Sequence, residues 1–197
     1  VEIIGVIVNK VQAEKYDKVN KMVRKGLVRK GMEVLGVMPY RPVLSSPTIE
    51  QLMHDINGEL LSGKAGLRNV AGRMVIGAMP PHEALNYFSK DALLITPGTR
   101  EDLILAAMSS CVVGIGRHHC VSGIILTGGT APHHNVMDLI KRTWLPVILV
   151  EEDTFTVATK IDRLIVKIRA EDRDKIQATE NLVEEFIDIK RLLELLS

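Results

Sequence analysis

The sequence predicts an α/β fold, in which a mostly parallel β-sheet carries helices on both faces. Short apolar segments rich in Val, Ile and Leu alternate with helical segments along most of the chain. Strands that are apolar throughout are typical of parallel sheets covered on both sides. Hydrophobic residues make up 46% of the 197 residues but aromatic residues only 4%. The core must therefore consist mainly of Ile, Val, Leu, Met and Ala.

The first part of the chain is predicted to form a β-α-β-α segment. A strand covers residues 1–8, and the helix after it ends at Gly31, which provides a C-terminal cap. A second strand covers residues 33–39, and Ser46 or Thr48 caps a short helix. Because the chain begins directly in a strand and without an initiator Met, we expect it to be the later part of a longer protein.

Residues 57–73 are rich in glycine and lack strong periodicity, which predicts a linker between two domains. Within them, "GELLSGKA" (58–65) matches the nucleotide-binding pattern G-x-x-x-x-G-K-[ST] except at Ala65. A working phosphate loop follows a buried strand and supplies a hydroxyl to Mg²⁺. This segment follows polar residues, and Ala65 has no hydroxyl. We therefore interpret the match as a coincidence.

The second part of the chain repeats strand and helix with greater regularity, which favours a parallel sheet. Its predicted strands cover residues 73–79, 92–96, 121–127, 146–150 and 163–168. Its predicted helices cover residues 81–89, 101–111, 134–143 and 154–160. A final amphipathic helix is predicted over residues 172–196.

Composition and charge exclude several classes of function. The formal net charge is +1, with acidic and basic residues interspersed, so we expect neither a nucleic-acid partner nor a membrane partner. The apolar runs are of strand length, too short to span a bilayer, and no signal peptide is recognisable. Cys111 and Cys120 are predicted to be free thiols in a reducing compartment. Together these features predict a cytoplasmic protein.

Strand-to-helix turns carry the best candidates for a binding site. In open α/β sheets, ligands bind at the carboxyl ends of the strands. There the side chain of Arg100 could make paired hydrogen bonds to a phosphate or carboxylate, and a Gly-Gly pair lets a ligand approach the backbone. The predicted ligand-binding residues are Thr99, Arg100, Asp102, Thr127, Gly128 and Gly129. The alternative is that these are only the capped turns that every α/β protein needs at this edge.

Histidines and cysteines cluster in sequence without the spacing of a metal site. The residues concerned are Cys111, His118, His119, Cys120, His133 and His134. Neither C-x-x-C nor H-x-x-x-H occurs among them, so the histidines are interpreted as solvated loop residues and no metal is predicted. No catalytic triad, paired catalytic carboxylates or nucleophile elbow is evident. We therefore predict no catalytic residue.

The motifs "GVIVNKV", "LGVMPY", "ALLITPGTREDLILAA", "GIILTGGTAP" and "LPVILVEEDTFTVATKI" occur in this order. The order resembles the amino-terminal regulatory half of long bacterial phosphotransacetylases, which is similar to stand-alone proteins that join a dethiobiotin-synthetase-like P-loop domain to a DRTGG domain. The resemblance implies three regions. Residues 1–60 would be the tail of a P-loop domain whose phosphate loop lies upstream. Residues 66–170 would be a DRTGG domain, similar in fold to the amino-terminal domain of HPr kinase/phosphorylase, and residues 171–197 a terminal helix.

The resemblance also implies roles for particular residues. Asn9 and Lys10 match a turn that lies near the base in nucleotide-binding relatives. Thr99 stands where the family has an Asp, whereas Asp102 matches the acid that follows. The remaining letters of the DRTGG motif correspond to Arg100, Thr127, Gly128 and Gly129.

The function that we predict is that of a regulatory, ligand-sensing and oligomerisation module without catalytic activity of its own. Its partners are a nucleotide or other small anionic ligand and further copies of the same chain. No cofactor is predicted in this chain, whereas ATP and Mg²⁺ would belong to the full-length protein. Two alternatives stay open: a fragment of an ATP-dependent ligase or P-loop NTPase of the dethiobiotin-synthetase type, or a purely structural dimerisation domain.

Overall fold

The computed structural model describes residues 3–112, 120–170 and 172–196. The chain divides into two compact units. The first unit combines Val1–Ser45 with Lys167–Ser197, and the second consists of Ser46–Val166. Each unit is described by itself.

The described residues form strands and α-helices that mostly alternate along the chain. The strands are β1 (Val6–Val11), β2 (Val34–Pro39), β3 (Glu59–Ser62), β4 (Arg73–Ile76), β5 (Ala92–Pro97), β6 (Gly123–Thr127) and β7 (Val147–Leu149). The α-helices are α1 (Tyr16–Val28), α2 (Pro42–Ser45), α3 (Ile49–Asp55), α4 (Pro81–Ala84), α5 (Glu101–Val112), α6 (His134–Ile140), α7 (Thr154–Asp162), α8 (Arg173–Phe186) and α9 (Ile189–Leu196).

The first unit contains a two-stranded parallel sheet of β1 and β2. The hydroxyl of Tyr16 donates a hydrogen bond to the carbonyl of Val37 at 2.9 Å, and the Tyr16 ring meets the edge of the Phe186 ring. Arg191 donates two hydrogen bonds to the carboxylate of Glu33, at 2.7 and 3.2 Å. These bonds lower the pKa of Glu33. Side chains from both ends of the chain thus hold this unit together.

The single helix predicted over residues 172–196 is wrong, because two helices, α8 and α9, occupy this segment. Between them, Ile187 is extended (φ −116°, ψ 132°) and pairs with Gly36 of β2. The N–H of Asp188 donates to the carbonyl of Leu35 at 2.8 Å. Pairing with the strand therefore satisfies backbone groups that a continuous helix would have used.

The second unit is built on a five-stranded sheet in the order β3-β7-β6-β5-β4. Strands β4 to β7 are parallel, and β3 pairs antiparallel with β7 at one edge. Successive residues of β5 point to opposite faces: Leu94 packs under helices α4, α5 and α6, while Leu93 and Ile95 pack under α3 and α7. The predicted α/β fold, mostly parallel with helices on both faces, is confirmed.

The linker predicted over residues 57–73 is wrong, because this segment contains β3 and belongs to the second unit. Glu59 pairs with Leu149, and Gly63 turns the chain with a left-handed φ of 79°. A Cβ on Gly63 would overlap the carbonyl oxygen of Leu145. The glycines that suggested a linker instead permit close packing.

The predicted boundaries at residues 60 and 66 both lie inside the second unit, which begins at Ser46.

The strand predicted over residues 163–168 is also wrong, since α7 extends to Asp162 and these six described residues form no strand. Ile165 is 86% exposed, so its side chain does not face a core. An alternating apolar pattern forms a strand only where a neighbouring strand is available to pair with it. Among the strands of the described residues, none pairs with this segment.

The free thiols predicted at Cys111 and Cys120 are wrong as well, because the two residues form a disulfide. Cys111 lies in the last turn of α5 and Cys120 shortly before β6, and their Cα atoms are 4.4 Å apart. Their separation of nine residues is not a recognisable disulfide spacing, so only the return of the chain from helix to strand brings them together. His118 and His119 lie outside the described residues.

No helix in the described ranges combines the length and the apolarity needed to cross a membrane.

Candidate functional site

Three strand-to-helix turns meet at the carboxyl edge of the five-stranded sheet. They follow β5, β6 and β7, and backbone hydrogen bonds join them. The N–H of Gly98 donates to the carbonyl of Thr127 at 3.4 Å, and the N–H of Gly128 donates to the carbonyl of Glu152 at 2.8 Å. A Cβ on Gly98 would overlap the carbonyl of Thr130. The structure thus brings the six predicted ligand-binding residues into one region.

Arg100 is held in place by the protein itself. Its Nε and Nη2 donate to the two carboxylate oxygens of Asp102, each at 2.9 Å. Its Nη1 and Nη2 donate to the carbonyls of Gly77 and Met79, each at 3.0 Å. Four of the five guanidinium N–H donors therefore have partners among the described residues. The pair of N–H groups on Arg100 that could bind a phosphate already donates to the carboxylate of Asp102.

The same pairing changes the acidity of both groups. The hydrogen bond from Arg100 lowers the pKa of Asp102, and the hydrogen bond to Asp102 raises the pKa of Arg100. About half of the Asp102 side chain and a third of the Arg100 side chain are exposed. Both groups are charged at neutral pH, so the pair is a surface ion pair that fixes the guanidinium in one orientation.

Gly128 and Gly129 form the turn after β6 with left-handed φ angles of 82° and 63°. Their N–H groups donate to the carbonyls of Glu152 and Val150, at 2.8 and 2.9 Å. These donors are used within the fold and are not directed at a ligand. A Cβ on Gly128 would meet nothing within 4 Å among the described residues, so one side of this turn is open.

Thr154 connects this turn to the start of α7. Its hydroxyl lies 2.7 Å from the hydroxyl of the buried Thr127. Asp153 caps the helix by accepting from the N–H groups of Phe155 and Thr156, at 2.9 and 3.0 Å. Hydrogen bonds, the largest from the Thr156 hydroxyl, lower the pKa of Asp153. The first turn of α7 is therefore fixed at the edge of the sheet.

A cavity of about 500 Å³ opens beside these turns. The ends of β4 and β5 contribute one wall and α7 the other. Thr99 and Arg100, two of the predicted residues, line it. The sequence did not identify its apolar walls, which are formed by Ile76, Ala78, Pro97, Phe155 and Ala158. The signal that could have found Phe155 is its place in the first turn of a helix that begins at this edge.

The charge of the three turns is negative. Residues 97–102, 127–134 and 150–154 contain five acidic residues but only one Arg or Lys, which is Arg100. Glu101 accepts from the N–H of His133 at 2.6 Å, and Glu152 pairs with Lys160 at 2.5 Å. This edge therefore does not present the excess of free cations that would attract a phosphate.

Asn9 and Lys10, which were predicted to lie near a nucleotide base, are in β1 of the first unit. Lys10 has a left-handed φ of 61°, and its N–H donates to the side-chain oxygen of Asn9 at 2.7 Å.

The ring centroids of His133 and His134, in the second unit, lie 4.0 Å apart. No group of three or more potential ligands for a metal ion occurs in the part of the chain that the structure describes.

Comparison with known proteins identifies similar sequences and similar structures. The DRTGG domain family matches residues 51–164. Phosphate acetyltransferase of Nitratidesulfovibrio vulgaris is 31% identical over 160 residues, which are 79% of this chain and 22% of the enzyme. That of Synechocystis is 28% identical over 198 residues, which are 99% of this chain and 28% of the enzyme. The chain thus spans about a quarter of the length of these relatives.

One similar structure is the regulatory region of a Clostridium perfringens pyrophosphatase, which contains CBS and DRTGG domains and was solved in complex with its activator, diadenosine tetraphosphate. It is 15% identical in sequence, with a TM-score of 0.49. The match covers 93% of this chain and 89% of the other.

Proposed function

Because this chain belongs to the DRTGG domain family, we propose that it is a regulatory module that binds a nucleotide or other small ligand and has no catalytic activity of its own. The relatives that align with 79% and 99% of the chain are phosphate acetyltransferases, which supports a role beside an enzyme of this type. The proposed role is to sense a ligand and to pass the response on, while the transfer of an acetyl group belongs to other parts of such an enzyme.

The observation that carries this proposal is the cavity at the carboxyl edge of the sheet. Its volume of about 500 Å³ lies within the range of about 300–1,000 Å³ that is typical of sites for small molecules. Open α/β sheets bind their ligands at this edge. A ligand that binds here contacts the ends of β4 and β5 together with α7, so it can favour one arrangement of these elements over another.

The proposal also covers the identity of the first unit and the oligomeric state of the protein. The parallel pair β1 and β2, with α1 between them in the chain, is the connectivity of a βαβ unit. This supports the interpretation of the first part of the chain as part of a dethiobiotin-synthetase-like P-loop domain, with its boundary moved from residue 60 to Ser45; the ATP and Mg²⁺ of that domain would bind in the full-length protein. A cytoplasmic homo-oligomer completes the proposal, and light scattering coupled to size-exclusion chromatography measures its size.

A thermal-shift panel tests the binding function. The ligands are adenine and guanine nucleotides, cyclic dinucleotides and central metabolites. At a concentration 100 times its Kd, a ligand of the native state stabilises it by about 2.7 kcal/mol, which raises Tm by several degrees. A158L places a larger side chain in the cavity and removes this shift. A65L keeps it, because Ala65 is exposed and its neighbours Gly63 and Gly66 pack against Leu145 and Pro146, at the amino end of β7 and away from the cavity.

Two outcomes would contradict the proposal. A retained oligomer with no response to any ligand would favour a purely structural dimerisation domain. A ligand that stabilises the wild type and A158L equally would show that binding occurs outside this cavity.

A further inference from the structure

Phe155 is the most informative residue of the cavity. It is 80% exposed although it is apolar and large. Single exposed apolar residues are common on protein surfaces, but Phe155 does not stand alone. It shares the cavity with Ile76, Ala78, Pro97 and Ala158, of which the first three are also exposed. The cavity therefore presents several apolar side chains, and Phe155 contributes the one aromatic ring among its lining residues.

Apart from Arg100, the polar side chains of the cavity are neutral hydroxyls. Thr99 and Thr154 line it, and the Thr154 hydroxyl is oriented by the hydroxyl of Thr127 at 2.7 Å. Arg100 also lines the cavity, but its paired donors are bound to Asp102. A hydroxyl can both donate and accept. The cavity thus matches a ligand that combines a flat apolar face with hydroxyl groups.

Charge argues against the phosphates as the main point of attachment. Five acidic residues lie in the three turns beside the cavity. Their single Arg or Lys, Arg100, is paired with Asp102, and Lys160 of α7 is paired with Glu152. A phosphate close to these carboxylates is repelled, while an uncharged ring is not. Stacking of a nucleobase on an aromatic side chain contributes about 1–3 kcal/mol without any contact to phosphate.

We propose that this cavity binds the purine nucleoside portion of its ligand, with the base stacked on Phe155, the ribose hydroxyls near Thr99 and Thr154, and any phosphates directed to solvent. This inference rests on the function proposed above and specifies which part of the ligand is recognised. A purine is preferred to a single pyrimidine ring because its larger flat surface covers more of the apolar wall.

Isothermal titration with a phosphate series tests the orientation. We expect adenosine, AMP and ATP to bind with Kd values within threefold of one another. Sodium tripolyphosphate is expected not to bind, even at a concentration tenfold higher than that of the nucleotides. Raising NaCl from 50 to 300 mM changes the Kd of adenosine less than twofold, because the contact is not ionic. An affinity that rises tenfold or more from adenosine to ATP would overturn the inference.

Substitutions of Phe155 test the stacking contact. F155A raises the Kd of adenosine at least tenfold, while F155Y stays within threefold of wild type. W144A is the matched control, because Trp144 is also exposed but precedes β7 at the opposite edge of the sheet. Since Trp144 is the single tryptophan, the double variant W144F/F155W provides a specific fluorescence reporter, which adenosine quenches on binding.

The outcomes separate this inference from the proposed function. Tripolyphosphate that binds wild type and F155A equally would sustain a ligand-binding module but overturn purine recognition. Adenosine that binds F155A as tightly as wild type would also overturn it. Absence of binding by every ligand, in a protein that remains folded by circular dichroism, would contradict both.

Discussion

Arg100 joins two segments of the second unit through one side chain. Its guanidinium meets the carboxylate of Asp102 at the start of α5 and the carbonyls of Gly77 and Met79 after β4. Such a planar fork suits several acceptors at once, which the single ammonium of a lysine cannot reproduce. Arg100 is therefore a positioning residue that shapes the wall of the cavity.

R100K is expected to destabilise the protein by about 1–2 kcal/mol, because it removes part of the fork that binds Gly77 and Met79. Urea unfolding at pH 7 measures the change in the free energy of unfolding. R142K is the matched control, since Arg142 is exposed, and its effect stays below about 0.5 kcal/mol. Equal stability of the two variants would show that these hydrogen bonds contribute little.

The residue types at this site were predictable, but their partners were not. Thr99, Arg100 and the Gly128-Gly129 pair were recognised because parallel strands end at a common edge. The carbonyl acceptors of Arg100, on Gly77 and Met79, lie more than 20 residues earlier in the chain, and nothing in the local sequence points to them. Phe155 was overlooked because an apolar residue after a helix cap is ordinarily part of the core.

Two glycines show how similar backbone angles serve different elements. Gly63 after β3 and Gly128 after β6 have φ angles of 79° and 82°. Residues with a side chain are disfavoured in this left-handed conformation, whereas glycine is not. Their surroundings differ, because a Cβ on Gly63 would overlap the Leu145 carbonyl while one on Gly128 would meet open space.

G128A is expected to cost about 1 kcal/mol, which is the strain of a left-handed alanine. G63A is expected to cost about 3 kcal/mol, because a backbone overlap adds to the same strain. Urea unfolding of both variants measures the difference, and the Gly128 variant controls for the strain alone. A cost of G63A no larger than that of G128A would mean that the turn beside Leu145 relaxes easily.

The disulfide between Cys111 and Cys120 connects α5 to the approach of β6. It closes a short loop, for which chain entropy predicts a stabilisation of about 2.5 kcal/mol. We expect dithiothreitol to lower Tm by several degrees and to leave the double variant C111S/C120S unchanged. Thiol titration of the denatured, unreduced protein should detect no free thiol, and two free thiols would contradict the bond.

The elements were predictable where local pattern and tertiary structure agree. The apolar runs of β5, β6 and β7 were found because a strand buried on both faces is apolar throughout. β3 was not found, since its four residues "ELLS" stand between glycines and it depends on pairing with β7. The apolar residues at 163–168 suggested a strand, but Ile165 is 86% exposed.

At the scale of the whole molecule, the first unit is discontinuous in sequence and the second is continuous. Ser46–Val166 contains all five strands of its sheet and the core on both of its faces. A segment with its own core can fold alone. Sequence patterns could not show this division, because the pairing of Ile187 with Gly36 joins residues at opposite ends of the chain.

The fragment 46–166 is expected to fold cooperatively and to keep the cavity. Circular dichroism and urea unfolding check its structure, and titration with the ligand found for the full chain checks its binding. The fragment 66–170 is the matched control, because it lacks α3 and β3. A fragment 46–166 that is no more stable than 66–170 would contradict the independence of the second unit.

The position of β3 also has a consequence for how the protein is made. β3 is the first strand of its sheet to leave the ribosome, yet its partner β7 follows about 90 residues later. At a synthesis rate of about 5–20 residues per second, the segment waits roughly 5–18 seconds for that partner. During this interval Leu60 and Leu61 have no strand to pair with. The edge of the sheet that is translated first is thus among the last to be closed.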